Sequence, residues 1–192
     1  MSYFANAGVI LVEFVFGLLI ALVVLRVLLQ LVRANFHNPI CQFLYRATNP
    51  VLIPLRRIIP GWRRLDVAGV LLAWLLFVLK AALVFALVGR LPTVPGLLVI
   101  ALADMLGWLL VFLLVLIVVR IVLGLFGTDS RHPVVPLVIQ LTEPVLAPIR
   151  RRLPAPGGID LSPLLAFLAI ALARALIVAP LYDLGLRIGQ AA

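Results

Sequence analysis

The chain has 192 residues, 65% of them hydrophobic, with a mean hydropathy of +1.27 and a formal net charge of +9. Apolar residues make up about half of an ordinary soluble domain, so the composition excludes a water-soluble globular fold, and the lone cysteine, Cys41, excludes an intrachain disulfide and any multi-cysteine metal or redox motif. Nucleic acid is not the partner this charge implies: the arginines hug the ends of apolar runs among prolines and aliphatics, which suits anionic lipid headgroups.

The first apolar run, at about residues 8–32, follows MSYFANAG, which carries no basic residue, and no small-residue cleavage site comes after it. It is therefore expected to remain as a permanent helix. Further runs at about 67–88, 97–126 and 161–184 also reach the roughly 20 residues that cross the hydrocarbon layer. An isolated helix satisfies its own backbone in lipid, so the expected fold class is an all-α membrane protein with four transmembrane helices. Arg26 and Arg120, near the ends of the first and third spans, are expected to snorkel to the headgroups.

After the first span, Asn38-Pro39 reads as a helix start, with proline at a position where its missing N–H matters little. The segment ICQFLYRAT is too short to span and is expected to lie in the interface or to re-enter it. PVLIPLRRIIP follows, with Pro50, Pro54 and Pro60 in eleven residues, which predicts a bent strap rather than one continuous helix. Asp66 then precedes the second span, and GRLPTVPG at residues 89–96 makes a tight link to the third.

The second half repeats this order at a constant offset of 94, which superposes Arg26 on Arg120, Pro39 on Pro133, Thr48 on Thr142, Pro50 on Pro144 and Pro54 on Pro148. It continues with Arg56 and Arg57 on Arg150 and Arg151, Pro60 on Pro154 and Asp66 on Asp160, with Lys80 facing Arg174. Such gapless identity among non-aliphatic residues establishes an internal repeat, here residues 1–94 and 95–192. Two spans per unit make the repeats parallel, giving two helical hairpins, each with a proline-rich connection. In the second copy Gly157 and Gly158 supply a flexible turn, Asp160 and Ser162 are capping candidates, and Pro163 stands at the first helical position. The first copy has Trp62, Arg63, Arg64, Ala68 and Gly69 in this region instead.

Of the sixteen Lys and Arg residues, ten lie in the two long connections, Arg33, Arg46, Arg56, Arg57, Arg63 and Arg64 in one and Arg131, Arg150, Arg151 and Arg152 in the other. The positive-inside rule then places both long loops in the cytoplasm and both termini outside. Lys80 and Arg174 lie deep in their spans, where a lone cation is costly. Helical rise puts Glu13 at the depth of Lys80 and Asp104 near that of Arg174, which predicts one intramembrane ion pair per repeat.

No catalytic constellation emerges. His37 and His132 occupy nearly matching positions but are offset by 95 and lack further ligands, so neither a haem nor a metal site is expected. Ser162 lacks a histidine partner and suits a helix start. The chain reads as a non-enzyme with no cofactor.

The block carried by Pro144, Pro148, Arg150, Arg151, Pro154, Gly157, Gly158, Asp160, Ser162 and Pro163, matched in the first copy at Pro50, Pro54, Arg56, Arg57, Pro60 and Asp66, closely resembles the YggT family of integral membrane proteins, also called YlmG. The resemblance covers nearly the whole chain. It implies a multi-pass bacterial inner-membrane protein with two tandem domains, in a family linked to cell division and osmotic tolerance, with plastid relatives tied to cytochrome assembly and nucleoid partition. Two functional expectations follow. One is a scaffold or assembly factor, in which Arg56, Arg57, Arg150 and Arg151 meet anionic lipid and partner proteins while Asp66 and Asp160 fix each strap to its span. The other is a channel or transport subunit, which needs a homo-oligomer because four helices make a thin pore wall; charges converging on a cavity would favour it.

Overall fold

A computed structural model describes residues 3–35, 37–59, 66–127, 132–152 and 160–190. The sequence features at Pro60, Trp62, Arg63, Arg64, Arg131, Pro154, Gly157 and Gly158 lie outside the described residues. The described chain is helical, with no strand. The helices are α1 (Tyr3–Leu31), α2 (Pro39–Ile58), α3 (Val67–Val88), α4 (Val94–Leu125), α5 (Val134–Arg152) and α6 (Ser162–Gln190). Helices α1, α3, α4 and α6 are apolar along their length and are the four membrane spans. At about 1.5 Å per residue, α4 is near 48 Å long and must tilt or project beyond a hydrocarbon layer of roughly 30 Å.

Helix α6 continues to Gln190, six residues past the end expected from hydropathy. Its last turns mix Asp183 and Arg187 with apolar residues, so the apolar signal fades while the helix goes on. Packing sustains it. A Cβ on Gly96 would stand 2.4 Å from the Gly189 Cα, and one on Gly185 would stand 2.9 Å from the Ile100 backbone nitrogen. Gly185 and Gly189, spaced as in small-xxx-small pairs, thus let α6 lie directly on the start of α4. The Thr93 hydroxyl, which also caps α4, donates to the Ile188 carbonyl at 3.0 Å. Gly89 ends α3 with φ of 74°, the left-handed conformation that glycine adopts readily, and so opens the link to α4.

Both straps differ from expectation. Each is one continuous helix that runs through its prolines, Pro50 and Pro54 in α2 and Pro144 and Pro148 in α5. The physical reason is the face they occupy. Arg46, Pro50 and Pro54 are spaced four apart and all are exposed, so the rings and the carbonyls they leave unbonded line the outward side. The inward sides keep regular helix and bury Leu44, Thr48 and Leu52 in α2 and Val138, Thr142 and Leu146 in α5.

Three apolar clusters hold the bundle. Ile20, Val23, Val24, Ala73, Phe77 and Ala101 join α1, α3 and α4, and Ile117, Leu146, Ala166 and Ile170 join α4, α5 and α6. The third, including Leu29, Cys41, Leu44, Leu137 and Leu141, packs the two straps together, and Asn38 Nδ2 donates to the Pro133 carbonyl at 2.6 Å between their first turns. The straps therefore meet on one side of the bundle, and the link and the free ends of α1 and α6 lie on the other.

Candidate functional site

Each strap is fastened to its spans twice, by residues that occupy the same places in the repeat. The inner fastening is a clamp. Arg26, only 4% exposed, donates to Thr48 Oγ1 at 2.6 Å and Asn49 Oδ1 at 2.9 Å, and its guanidinium lies 4.6 Å from the centre of the Tyr45 ring. Arg120 donates to Thr142 Oγ1 at 2.8 Å and Glu143 Oε2 at 2.7 Å. Both threonine hydroxyls donate onward within their helices, Thr48 to the Leu44 carbonyl at 2.6 Å and Thr142 to the Val138 carbonyl at 2.8 Å. The two arginines thus turn inward to the straps instead of snorkelling to headgroups, because Thr48 and Thr142 offer them buried acceptors. A signal for this was present: the Arg–Thr separation is 22 in both copies.

The outer fastening is a lock. In α2, Arg56 Nε donates to Asp66 Oδ1 at 3.2 Å, its Nη2 bonds the other carboxylate oxygen, and Nη2 also reaches Gln30 Oε1 at 2.8 Å. The side chain of Asp66 is 2% exposed, and it caps α3 by accepting from the Gly69 N–H at 3.2 Å. Hydrogen bonding to this carboxylate raises the pKa of Arg56. In α5, Arg150 donates from Nε and Nη2 to Asp160 Oδ2 at 3.0 and 2.6 Å, but here both side chains are 42% exposed. Asp160 Oδ1 accepts from the Ser162 N–H at 2.9 Å. The Ser162 hydroxyl, the Arg150 guanidinium and this N–H together hold Asp160 down at about 2.

The expected cap is corrected in one respect. Ser162 is the first residue of α6 and not its cap; Asp160 does the capping, accepting from the Ser162 N–H, and the Ser162 hydroxyl lies buried beside its carboxylate. Asn38 caps α2 as expected, accepting from the Ile40 N–H at 2.9 Å. His37 Nδ1 pairs with Asn35 Oδ1 at 2.9 Å, and His132 Nδ1 accepts from the Val134 N–H at 3.4 Å. Among the described residues, no three His, Cys, Asp or Glu side chains gather as metal ligands would.

Of the four arginines expected at a lipid or partner surface, two are therefore committed to locks. Arg57, Arg151 and Arg152 are exposed at the ends of the straps and make no hydrogen bond or ion pair with the described residues. Beside them in α2, Phe43, Ala47, Pro50, Pro54 and Ile58 form an exposed stripe at helical spacing.

The intramembrane charges are arranged differently from the expected pairs. Glu13 is exposed, and no ion pair within 4.0 Å joins it to Lys80. Lys80 instead lies 5.5 Å from the centre of the Phe77 ring and lines a groove of about 320 Å³ with Asp104 and Arg174, which likewise form no ion pair. Helix α4 floors this groove with Ala103, Gly107 and Trp108, between walls from α3 and α6. The α6 wall contains a five-residue π-helical turn, Arg174–Val178, in which the Ala179 N–H reaches the Arg174 carbonyl. Such turns insert an extra residue and re-aim side chains. Nothing in the sequence announced it.

These features define a helical membrane protein made of a duplicated two-span unit, in which an amphipathic strap is clamped and locked onto its own spans. The CCB3/YggT family profile matches the chain twice, at residues 5–87 and 99–181, again 94 apart (99 − 5 and 181 − 87). The chain belongs to this family. It is 38% identical to an uncharacterised protein from the proC 3′ region of Vibrio alginolyticus, over 92% of this chain and 98% of the relative. It is also 38% identical to an uncharacterised Pseudomonas aeruginosa protein, over 90% of this chain and 89% of the relative. The uncharacterised YggT of Escherichia coli K12 is 35% identical over 86% of both chains. No solved structure matches.

Proposed function

We propose that the protein is a non-enzymatic inner-membrane scaffold whose two joined straps present a basic, partly apolar face to anionic lipid and to partner proteins at the cytoplasmic side. The observation that carries this reading is the division of labour within each arginine pair. Arg56 and Arg150 hold the straps in place, leaving Arg57 in the first strap and Arg151 and Arg152 in the second to face outward. The exposed stripe from Phe43 to Ile58 would sink into the interface, and the arginines beside it would meet phosphate oxygens. In a bacterial cell the positive-inside rule puts this face in the cytoplasm and both ends of the chain outside.

Photocrosslinking in living cells tests the reading, with the probe at Ile58 or Arg151. Anionic phospholipid and one or a few defined proteins should be captured from both strap positions, and those proteins not from Val118, which is exposed on the α4 span and faces lipid. Equal capture of those proteins at Val118 would contradict the proposal.

The convergence of Lys80, Asp104 and Arg174 on one groove favours a second reading, an oligomeric channel or transport subunit. Ion or solute flux in reconstituted vesicles that disappears on Asp104→Asn substitution would establish it, and vesicles no leakier than protein-free controls would rule it out.

A further inference from the structure

Glu13 is a carboxylate within an apolar helix, and among the described residues no cation pairs with it. It lies in the half of α1 nearest the link, where burial is slight: the first buried residue of α1 is Ile20. Ile10, Leu11, Phe14 and Leu18 around it are each more than half exposed. In the second repeat the matching half of α4 is covered by the glycine-lined end of α6. The first repeat has less cover: α3 stops at Val88, where the Leu87 side chain meets α1 at Gly8, and the chain turns into the link.

The groove supplies what Glu13 lacks. Lys80 on one wall and Arg174 on the other outnumber the single carboxylate, Asp104, on the floor. Depth also agrees. Glu13 is ten residues from the link-side end of α1 and Asp104 ten from that of α4, about 15 Å in each case; Lys80 is eight residues from the end of α3, about 12 Å. Arg174 lies deeper and keeps the groove positive beyond that level. Gly107, half-buried on the floor beside Val178, adds no side chain to fill the groove.

We propose that the groove between α3 and α6 receives the α1 helix of a second copy of this chain, with Glu13 of that copy bonded to Lys80. The contact joins four charges of zero net sum and covers the exposed first half of α1. An intramembrane carboxylate and ammonium have strong reason to meet, because neither finds water among lipid tails. The inference is independent of the strap face.

The test uses the full-length protein in native membranes, with Cys41 replaced by Ala. Two differently tagged chains are co-expressed, one with Glu13→Cys and the other with Lys80→Cys, and the membranes are oxidised. A disulfide-linked heterodimer is expected from this pair, and not when Val118→Cys replaces Lys80→Cys as the partner. Crosslinks between like-tagged chains only, none at all, or an equal yield with Val118→Cys would overturn the proposal.

Charge exchange guards against loss of contact through the cysteines themselves. Glu13→Lys should lower the dimer fraction by about tenfold, and adding Lys80→Glu should restore most of it. A dimer fraction indifferent to both changes, or one that the double exchange leaves depressed, would show that lipid or an unrelated membrane helix fills the groove.

Discussion

The two repeats solve one problem with the same residues in different surroundings. In the first, the Arg56–Asp66 lock is closed over by α1, whose Gln30 shares the guanidinium, and Asp66 is almost wholly buried. In the second, the Arg150–Asp160 lock stands half in solvent and leans on Glu143, 3.6 Å away. The clamps differ in the same direction, since the buried Arg26 has only neutral acceptors where Arg120 has a carboxylate. A conserved contact map thus hides unequal energetics: a buried pair broken on one side leaves an uncompensated charge, while an exposed pair is replaced by water.

The sharpest way to break this comparison is to remove one carboxylate at a time. Asp66→Ala should destabilise the protein by about 3–5 kcal/mol, because it strands Arg56 and uncaps α3 together. Asp160→Ala should cost about 0–1 kcal/mol for its exposed pair, plus the loss of a cap. Denaturation of the purified variants in one detergent would order them, and equal losses would refute the contrast. Close packing gives the next largest effect. Gly96→Ala places a methyl against the Gly189 backbone and should cost about 1–3 kcal/mol, whereas Gly8→Ala meets only the flexible end of Leu87 at 3.3 Å and should be near neutral.

Thr48→Val should cost about 1–3 kcal/mol by leaving Nη1 of the buried Arg26 without an acceptor, since Asn49 holds only Nη2, and Thr142→Val less, because Glu143 still accepts from Nη1 of Arg120. The smallest effect is on acid sensitivity. With Asp160 at about 2, against roughly 3.9 for a free aspartate, the contribution of this lock is present above about pH 4 and is lost as pH falls through 2. An acid titration of wild type and Asp160→Asn, followed by tryptophan fluorescence, should show the two curves converging as the pH approaches 2.

Much of this was legible because repetition filters chance. The spans could be read from hydropathy, and the locks from an Arg–Asp pair recurring ten residues apart in each copy. The continuous straps were not legible, since proline propensity says nothing about which face of a helix the ring will occupy. The inward turn of Arg26 and Arg120 was missed for a related reason: a basic residue near a span end has headgroups as its default partner, and only the fold brings Thr48 and Thr142 within reach. The pairing of Glu13 with Lys80 failed because equal depth in a membrane does not imply facing sides.

The central claim is that one arginine of each pair locks and the remaining arginines bind. It is tested most directly by comparing two purified variants, Arg57→Gln with Arg151→Gln and Arg152→Gln, and Arg56→Gln with Arg150→Gln, for anionic-lipid enrichment in mixed phosphatidylglycerol and phosphatidylcholine nanodiscs and for thermal stability. The account predicts that the first variant keeps its melting temperature and loses anionic-lipid enrichment, and that the second melts well below wild type. Undiminished enrichment in the first variant, or an unchanged melting temperature in the second, would contradict it.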